Sequence, residues 1–285
     1  MTTRGLATPV LLIIFDRPES TQRVFERIRA VKPPKLYVWA DGPRSRDASE
    51  EDLCSEVRAV KDRVDWPCEV KTWYRDDHLG SDKGVAAAID WFFQNEPEGI
   101  ILEDDCVPEE PFFRFCEQLL ERYRDDKRIM HICGINPLQK WEGEPYSYYY
   151  SRHASTGGWA SWRRAWRLND FSPARYEKIR RHGYFEEYFP TKAERTKWFR
   201  TFDLLSTTSD PQARWMDRWA FSRFIQSGLS IVPRETLVAH LPDGRANGAW
   251  ITDEGLQHPP FVMRSMEADT VYSNSIARQV NAIRN

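Results

Sequence analysis

Gly99-Ile100-Ile101-Leu102-Glu103-Asp104-Asp105-Cys106-Val107-Pro108 carries three apolar residues straight into three carboxylates, and a proline closes the run. A short continuous apolar run fits a strand buried on both faces. This strand would deliver its acids at its C-terminal end, and open α/β sheets bind ligands just outside the carboxyl ends of their strands. Adjacent carboxylates repel one another unless a cation or water relieves them. The stretch therefore reads as a divalent-metal site for a phosphate-bearing substrate, or as an acidic turn after a core strand.

The chain before it supplies the sheet. Pro9 to Phe15 is a second continuous apolar run, followed by turn and cap residues at 16–20. A helix over about Thr21 to Val31 places Val24, Phe25 and Ile28 on one face, and Pro33-Pro34 ends it. Leu36 to Ala40 is a second strand, closed by Asp41-Gly42-Pro43. A polar helix runs from about Ser49 to Arg63, and Glu69 to Tyr74 alternates polar and apolar like a third strand. Gly84 to Asn95 reads as a helix with Val85, Ile89, Phe92 and Phe93 turned inward. Repeated strand–helix alternation predicts an α/β fold with a mostly parallel sheet flanked by helices. Neither a GxGxxG fingerprint nor a P-loop follows the first strand. The strand-end loops instead bring Arg17, Asp41, the segment Arg75 to Lys83, and Glu103 to Asp105 to one edge. That mixture offers cations for phosphate and acids for a metal or ribose hydroxyls. Each of these charges taken singly also reads as a solvated loop charge.

Glu110 to Arg124 predicts an apolar-faced helix, and Ile129 to Gly134 a strand. Tyr146 to Ser151 reads as a tyrosine-rich edge strand, antiparallel to its neighbour. Gly157 to Trp166 then opens a Trp-rich helical half, whose glycines would permit close approach to a ligand or form a tight turn. The segment Arg175 to Thr208 predicts helices with breaks at Gly183 and Pro190. On a helix, Trp215, Trp219 and Ser222 share a face, and Asp217 points elsewhere. Asp217 reads as a partly dehydrated general base, or as the partner of Arg214, Arg218 or Arg163. Leu229 to Pro233 is a late strand. Val238 to Gly248 reads as a glycine-containing loop of the kind that closes over a substrate, and the imidazole of His240 with a carboxylate would suit manganese. From about Asp253 a tail follows, with a helix expected at 271–284. No internal repeat appears, so 285 residues are expected to form one domain: a binding half at about 8–135, a second half at about 136–252, and a tail at 253–285.

Composition narrows the classes. A net charge of −2 leaves no electrostatic footprint for nucleic acid. Twelve tryptophans require much aromatic surface to be buried or used in binding. Five cysteines with no CxxC spacing point to a reducing compartment, and Met1 to Thr8 lacks a signal peptide's apolar core. The expectation is a cytoplasmic protein, with peripheral membrane contact compatible with a lipid-borne substrate.

Four motifs resemble those of a known family. They are LLIIFDRP at Leu11–Pro18, WADGPR at Trp39–Arg44, GIILEDDCVP at Gly99–Pro108 and GWASWRRAW at Gly158–Trp166. Together they resemble nucleotide-diphospho-sugar transferases of the GT-A fold, and more narrowly bacterial hemolytic-protein-like glycosyltransferases. The likeness covers about residues 8 to 250. The Glu-Asp-Asp triplet, a later Gly-Trp segment and an acid between tryptophans are also similar to the inverting N-acetylglucosaminyltransferases that begin complex N-glycan synthesis. The resemblance implies a GT-A, Rossmann-like sheet, a nucleotide-sugar donor and a Mn²⁺ or Mg²⁺ cofactor. It implies that Asp105 ligates the metal and that Phe15, Arg17, Asp41, Lys83, Glu103 and Asp104 contact the donor. It further implies that Asp217 is the catalytic base and that Gly158, Trp159 and Trp219 lie on the acceptor side, towards a glycan or lipid-linked acceptor. The chain departs from the family at His78-Leu79-Gly80-Ser81-Asp82-Lys83, where relatives often have Asn-Leu-Gly-Cys-Lys. It departs again at Thr156-Gly157 in place of Cys-Trp, and at His240 to Gly244 in place of an Asn-rich loop.

The expected reaction is metal-assisted transfer of a sugar from a nucleoside diphosphate, with inversion at the anomeric carbon. Two alternatives share the sheet: a sugar-nucleotide nucleotidyltransferase, and a non-catalytic nucleotide-sugar-binding protein. The first normally carries a Gly-rich phosphate loop after strand one, which Phe15-Asp16-Arg17-Pro18 lacks.

Overall fold

The computed structural model describes residues 5–44, 48–142, 146–208, 210 and 214–241. Of the loop read at 238–248, Val238–His240 are instead strand, because they pair with Cys106–Pro108; residues 242–248 and the tail, with its expected helix at 271–284, lie outside the described residues. The chain opens with β1 (Val10–Ile14), α1 (Pro18–Val31), β2 (Lys35–Ala40), α2 (Ala48–Arg58), β3 (Glu69–Tyr74), α3 (Gly80–Asn95) and β4 (Glu98–Glu103). A short β5 (Cys106–Pro108), α4 (Glu110–Arg122) and β6 (Ile129–Cys133) follow. The remainder comprises β7 (Tyr148–Ser151), β8 (Trp159–Trp162), α5 (Arg163–Trp166), α6 (Pro173–Arg181), α7 (Tyr184–Tyr188), α8 (Lys192–Thr207), α9 (Trp215–Ile225), β9 (Leu229–Pro233) and β10 (Val238–His240).

The main sheet runs β3-β2-β1-β4-β8-β6-β9-β7. Strands β3, β2, β1 and β4 are mutually parallel, and β6 pairs with β9 in parallel. Strands β8 and β7 run against their neighbours. The fold is α/β with a mixed, mostly parallel sheet between layers of helices. Alternation along β1 sorts the core into two faces. Val10, Leu12 and Ile14 meet Val24, Phe25 and Ile28 of α1 on one face. Leu11 and Ile13 meet Val85, Ile89 and Phe92 of α3 on the other. Both faces are covered, which is why the central strands read as continuous apolar runs. No helix among the described residues is long and apolar enough to cross a membrane, and the five cysteines are free thiols.

The expected helix at the Gly-Trp segment is instead largely strand. Trp159 to Trp162 form β8, inserted between β4 and β6, and only Arg163 to Trp166 are helical. Both faces of β8 are buried, so its tryptophans alternate into opposite cores. Trp159, Trp166, Trp215 and Trp219 gather on the α3 face. This cluster accounts for part of the tryptophan excess. The breaks expected at Gly183 and Pro190 are present, separating α6, α7 and α8.

His131 lies within that aromatic cluster, fully buried on β6. Its Nε2 faces the Ser155 carbonyl at 2.9 Å, and Trp219 Nε1 donates to its Nδ1 at 3.2 Å. These partners select the neutral tautomer with hydrogen on Nε2. Burial, with the Arg223 charge adding, pushes the imidazole down to about 3. An unfolded histidine titrates near 6.5, so on acidification the unfolded chain takes the proton first. This contribution to stability is complete above pH ~6.5 and is lost as pH falls towards 3, by about 2 kcal/mol at pH 5. In ring-proton NMR the His131 signal should stay fixed between pH 8 and 5. A His131 midpoint near 6.5 would contradict this.

Candidate active site

Strand β1 leads first to β2 and β3 on one side, and the chain then returns through α3 to β4 on the other. Strand order therefore reverses between β1 and β4, and open sheets leave a ligand crevice at such a point. The segments leaving these carboxyl ends are Phe15-Asp16-Arg17 and Asp104-Asp105, with Ile13 opposite Glu103 in register.

Asp104 is 2% exposed. Arg17 Nη2 lies 2.6 Å from its Oδ1, and the Phe15 backbone N–H donates to its Oδ2 at 3.2 Å. Arg17 Nη1 donates to Asp105 Oδ2 at 3.1 Å, so one guanidinium spans both acids. Glu103 shares the sheet face of Ile101, towards α3 and α9. Burial raises its carboxyl to about 8, with the Asp105 and Asp104 charges adding. Burial likewise raises Asp104 to about 7 against the pull of Arg17. The triplet is thus a crowded set of carboxyls whose burial favours protonation, and a single arginine spans two of them.

A second, two-stranded ladder completes this edge. β10 pairs antiparallel with β5, placing His240 opposite Cys106, and the Leu241 N–H donates to the Asp105 carbonyl at 2.8 Å. His240 Nε2 lies 3.6 Å from Asp105 Oδ1. Cys106 Sγ donates to the same oxygen at 3.3 Å. Burial holds this thiol well above its usual range, so it acts as an S–H donor. The three ligand atoms lie within 4.8 Å of one another. A carboxylate and an imidazole at this separation fit one hard divalent ion with bonds of about 2.1 Å, as manganese or magnesium takes. Asp105 and His240 fit a metal, and Cys106 orients Asp105.

Asp217 stands in the first turn of α9, beyond the Thr156-Gly157 segment. A Cβ on Gly157 would sit 3.5 Å from His240 Cδ2, and Thr156 Oγ1 meets Met216 Sδ at 3.2 Å. The start of α9 is thereby linked to the acidic edge through two residues. Of the arginines expected as partners of Asp217, Arg214 holds it, at 2.5 Å. Burial raises the Asp217 carboxyl despite that charge. Arg214 itself adopts a left-handed φ of 58°, an uncommon conformation for a residue with a side chain.

The other expected residues divide. The Phe15 ring lies 5.0 Å from His78 and 4.8 Å from the Arg44 guanidinium, beside the crevice. Asp41 spends its carboxylate on the start of α3: it accepts from Leu79 N–H at 2.9 Å and Gly80 N–H at 2.8 Å, with His78 Nδ1 at 3.0 Å. Lys83 pairs with Asp210 at 2.7 Å. Trp159 and Trp219 are each 1% exposed, and their rings belong to the core around His131. Gly158 has φ +66°, and a Cβ there would lie 2.9 Å from Val238 Cγ2 and 3.3 Å from Leu102 Cδ2. Its close approach is to the β10 ladder. Gly158→Ala should cost about 3 kcal/mol, the sum of left-handed strain and overpacking. Gly183→Ala, with a similar φ but its nearest neighbour at 3.8 Å, should cost only about 1 kcal/mol. Denaturant midpoints of the two variants check this difference.

Sequence reasoning missed Cys106 and Asp210. Cys106 directly follows the triplet, but nothing in the sequence says that its thiol turns back to Asp105. Asp210 carries no motif.

No protein-family model matches this chain, and no curated protein matches it in sequence. Among solved structures, it is similar to UDP-glucose pyrophosphorylase complexed with UDP-glucose, with a TM-score of 0.41 and 9% identity, covering 82% of this chain and 93% of that one. It is also similar to apo UDP-glucose pyrophosphorylase (TM-score 0.39, 8% identity, 81% and 93% covered) and to HddC from Yersinia pseudotuberculosis (0.33, 11%, 55% and 77%). The chemistry is therefore read from the site's own residues.

Proposed function

We propose that this chain is a metal-dependent inverting glycosyltransferase, moving a sugar from a nucleoside-diphosphate sugar, a UDP-sugar first, to a hydroxyl of a glycan or glycoconjugate. The observation that carries the reading is Asp105: it stands at the switch point with His240 against one oxygen and Arg17 against the other. A divalent cation held by Asp105 and His240 would offset the negative charge that develops on a departing diphosphate. Arg17 holds Asp104 and Asp105 with its two Nη groups; with a cation on Asp105, the Nη1 donor would be released to a phosphate oxygen. Asp217 is the base: its carboxylate takes the proton of the acceptor hydroxyl as that oxygen bonds to the anomeric carbon and the carbon–phosphate-oxygen bond breaks. Its buried carboxyl is a stronger base than an exposed one. The four motifs resembling GT-A transferases support the same reaction class.

A thermal-shift screen of nucleotide sugars with and without Mn²⁺ tests this. A true donor should stabilise the protein only with the metal present, by about 2.7 kcal/mol at a hundredfold excess over its Kd. Product analysis should then show nucleoside diphosphate and an inverted linkage. Retained anomeric configuration overturns the inversion, and pyrophosphate formed from a sugar phosphate and a nucleoside triphosphate assigns a nucleotidyltransferase instead.

A further inference from the structure

Helix α3 presents Ala87, Asp90, Trp91 and Gln94 at spacings of three and four, which places them on one stripe. The stripe lies against Thr72 and Trp73 of the edge strand β3, and these six residues line a groove of about 490 Å³. That volume falls within the ~300–1,000 Å³ range of small-ligand sites. Trp73 and Trp91 meet edge to face with centroids 5.8 Å apart, and both remain partly exposed. Thr72, Asp90 and Gln94 are exposed beside them. Asp90 is held in place, because one of its oxygens accepts from Nε1 of the buried Trp166 at 2.6 Å.

We infer that this groove is a binding site for a neutral sugar ring of a glycan, separate from the acidic edge. A pyranose has an apolar C–H face and a rim of hydroxyls that both donate and accept. The groove offers indole surface for the face, and a carboxylate, an amide and a hydroxyl for the rim. The Asp90 carboxylate disfavours phosphate or another anion there, and the lining itself contains no cation. The Arg75 guanidinium lies 6.0 Å from the Trp73 ring centre, outside that lining. A wholly apolar partner would dehydrate the Thr72 hydroxyl, the Asp90 carboxylate and the Gln94 amide without offering any of them a hydrogen bond. Strands β2 and β1 separate β3 from β4, so this site stands or falls independently of the transferase reading.

The test is titration of the full chain with maltohexaose, cellohexaose and N-acetylchitohexaose, without nucleotide, followed by tryptophan fluorescence and saturation-transfer NMR. At least one should bind with saturable quenching, and Trp91→Ala should abolish the signal. Trp91 also packs on Tyr37, so two further substitutions keep the test independent of folding: Asp90→Asn, which retains an oxygen for Trp166 Nε1, and the exposed Gln94→Lys. Each should weaken binding by at least roughly tenfold. Absence of binding by all three oligosaccharides at about 10 mM overturns the proposal, as does binding undiminished in both exposed variants. A wild-type dimer that Gln94→Lys converts to monomer would assign the groove to a second copy of the chain, and overturns it too.

Discussion

Asp105→Ala should abolish metal-dependent binding of a nucleotide sugar and lower transfer by at least ~10³, since a bound cation supplies several kcal/mol of charge stabilisation. Asp105 is the acid that joins the two halves of the site, with Arg17 on one oxygen and both His240 and Cys106 near the other. Its removal leaves His240 alone to hold an ion. The variant should still fold, and this makes the result interpretable. Loss of Asp105 removes a charge that raises Glu103, and Arg17 retains its ion pair with Asp104. The expected outcome is therefore unchanged or greater stability without metal, together with no calorimetric heat for donor plus Mn²⁺. Wild-type-like donor binding would remove Asp105 from the metal site.

Asp217→Asn should leave donor binding close to wild type and reduce the rate of transfer by ~10²–10⁴, the usual contribution of a positioned general base. Asparagine preserves the volume and still offers an oxygen to Arg214, now 2.5 Å from the carboxylate. The first turn of α9 should therefore remain in place while the proton acceptor is lost. The measurement is kcat against KM at saturating acceptor. A fall in kcat with an unchanged donor KM identifies a group that acts in the transition state. Transfer at a comparable rate would make the Asp217–Arg214 pair structural.

The parallel half of the sheet was legible because its strands are buried on both faces and written as unbroken apolar runs, with helices of clear 3.6-residue period between them. Gly99 to Glu103 could be placed from such a run alone. The Trp-rich segment was not, because Trp159-Ala160-Ser161-Trp162 is too short to show strand alternation and runs directly into the helical Arg163–Trp166. Its identity as β8 depends on the gap between β4 and β6, which is a property of tertiary structure. Arg17 and the acids could be brought to one edge from strand order, yet His240 joins them only through the β5–β10 ladder, whose strands are three residues each and too short to leave a pattern. Asp41 and Lys83 were visible as charges, but sequence carries no sign that one caps α3 and the other pairs with Asp210.

That ladder also has a consequence for biosynthesis. A ribosome releases the acidic strand first and the histidine strand much later, on the order of ten seconds at ~5–20 residues per second. During that interval the nascent chain already contains Arg17, so the carboxylates emerge with their counter-ion already made. The imidazole arrives last and closes the site only when the carboxyl-terminal part of the sheet is added. Messages truncated before β10 would thus yield chains with a partly balanced acidic edge but only half of the proposed metal site.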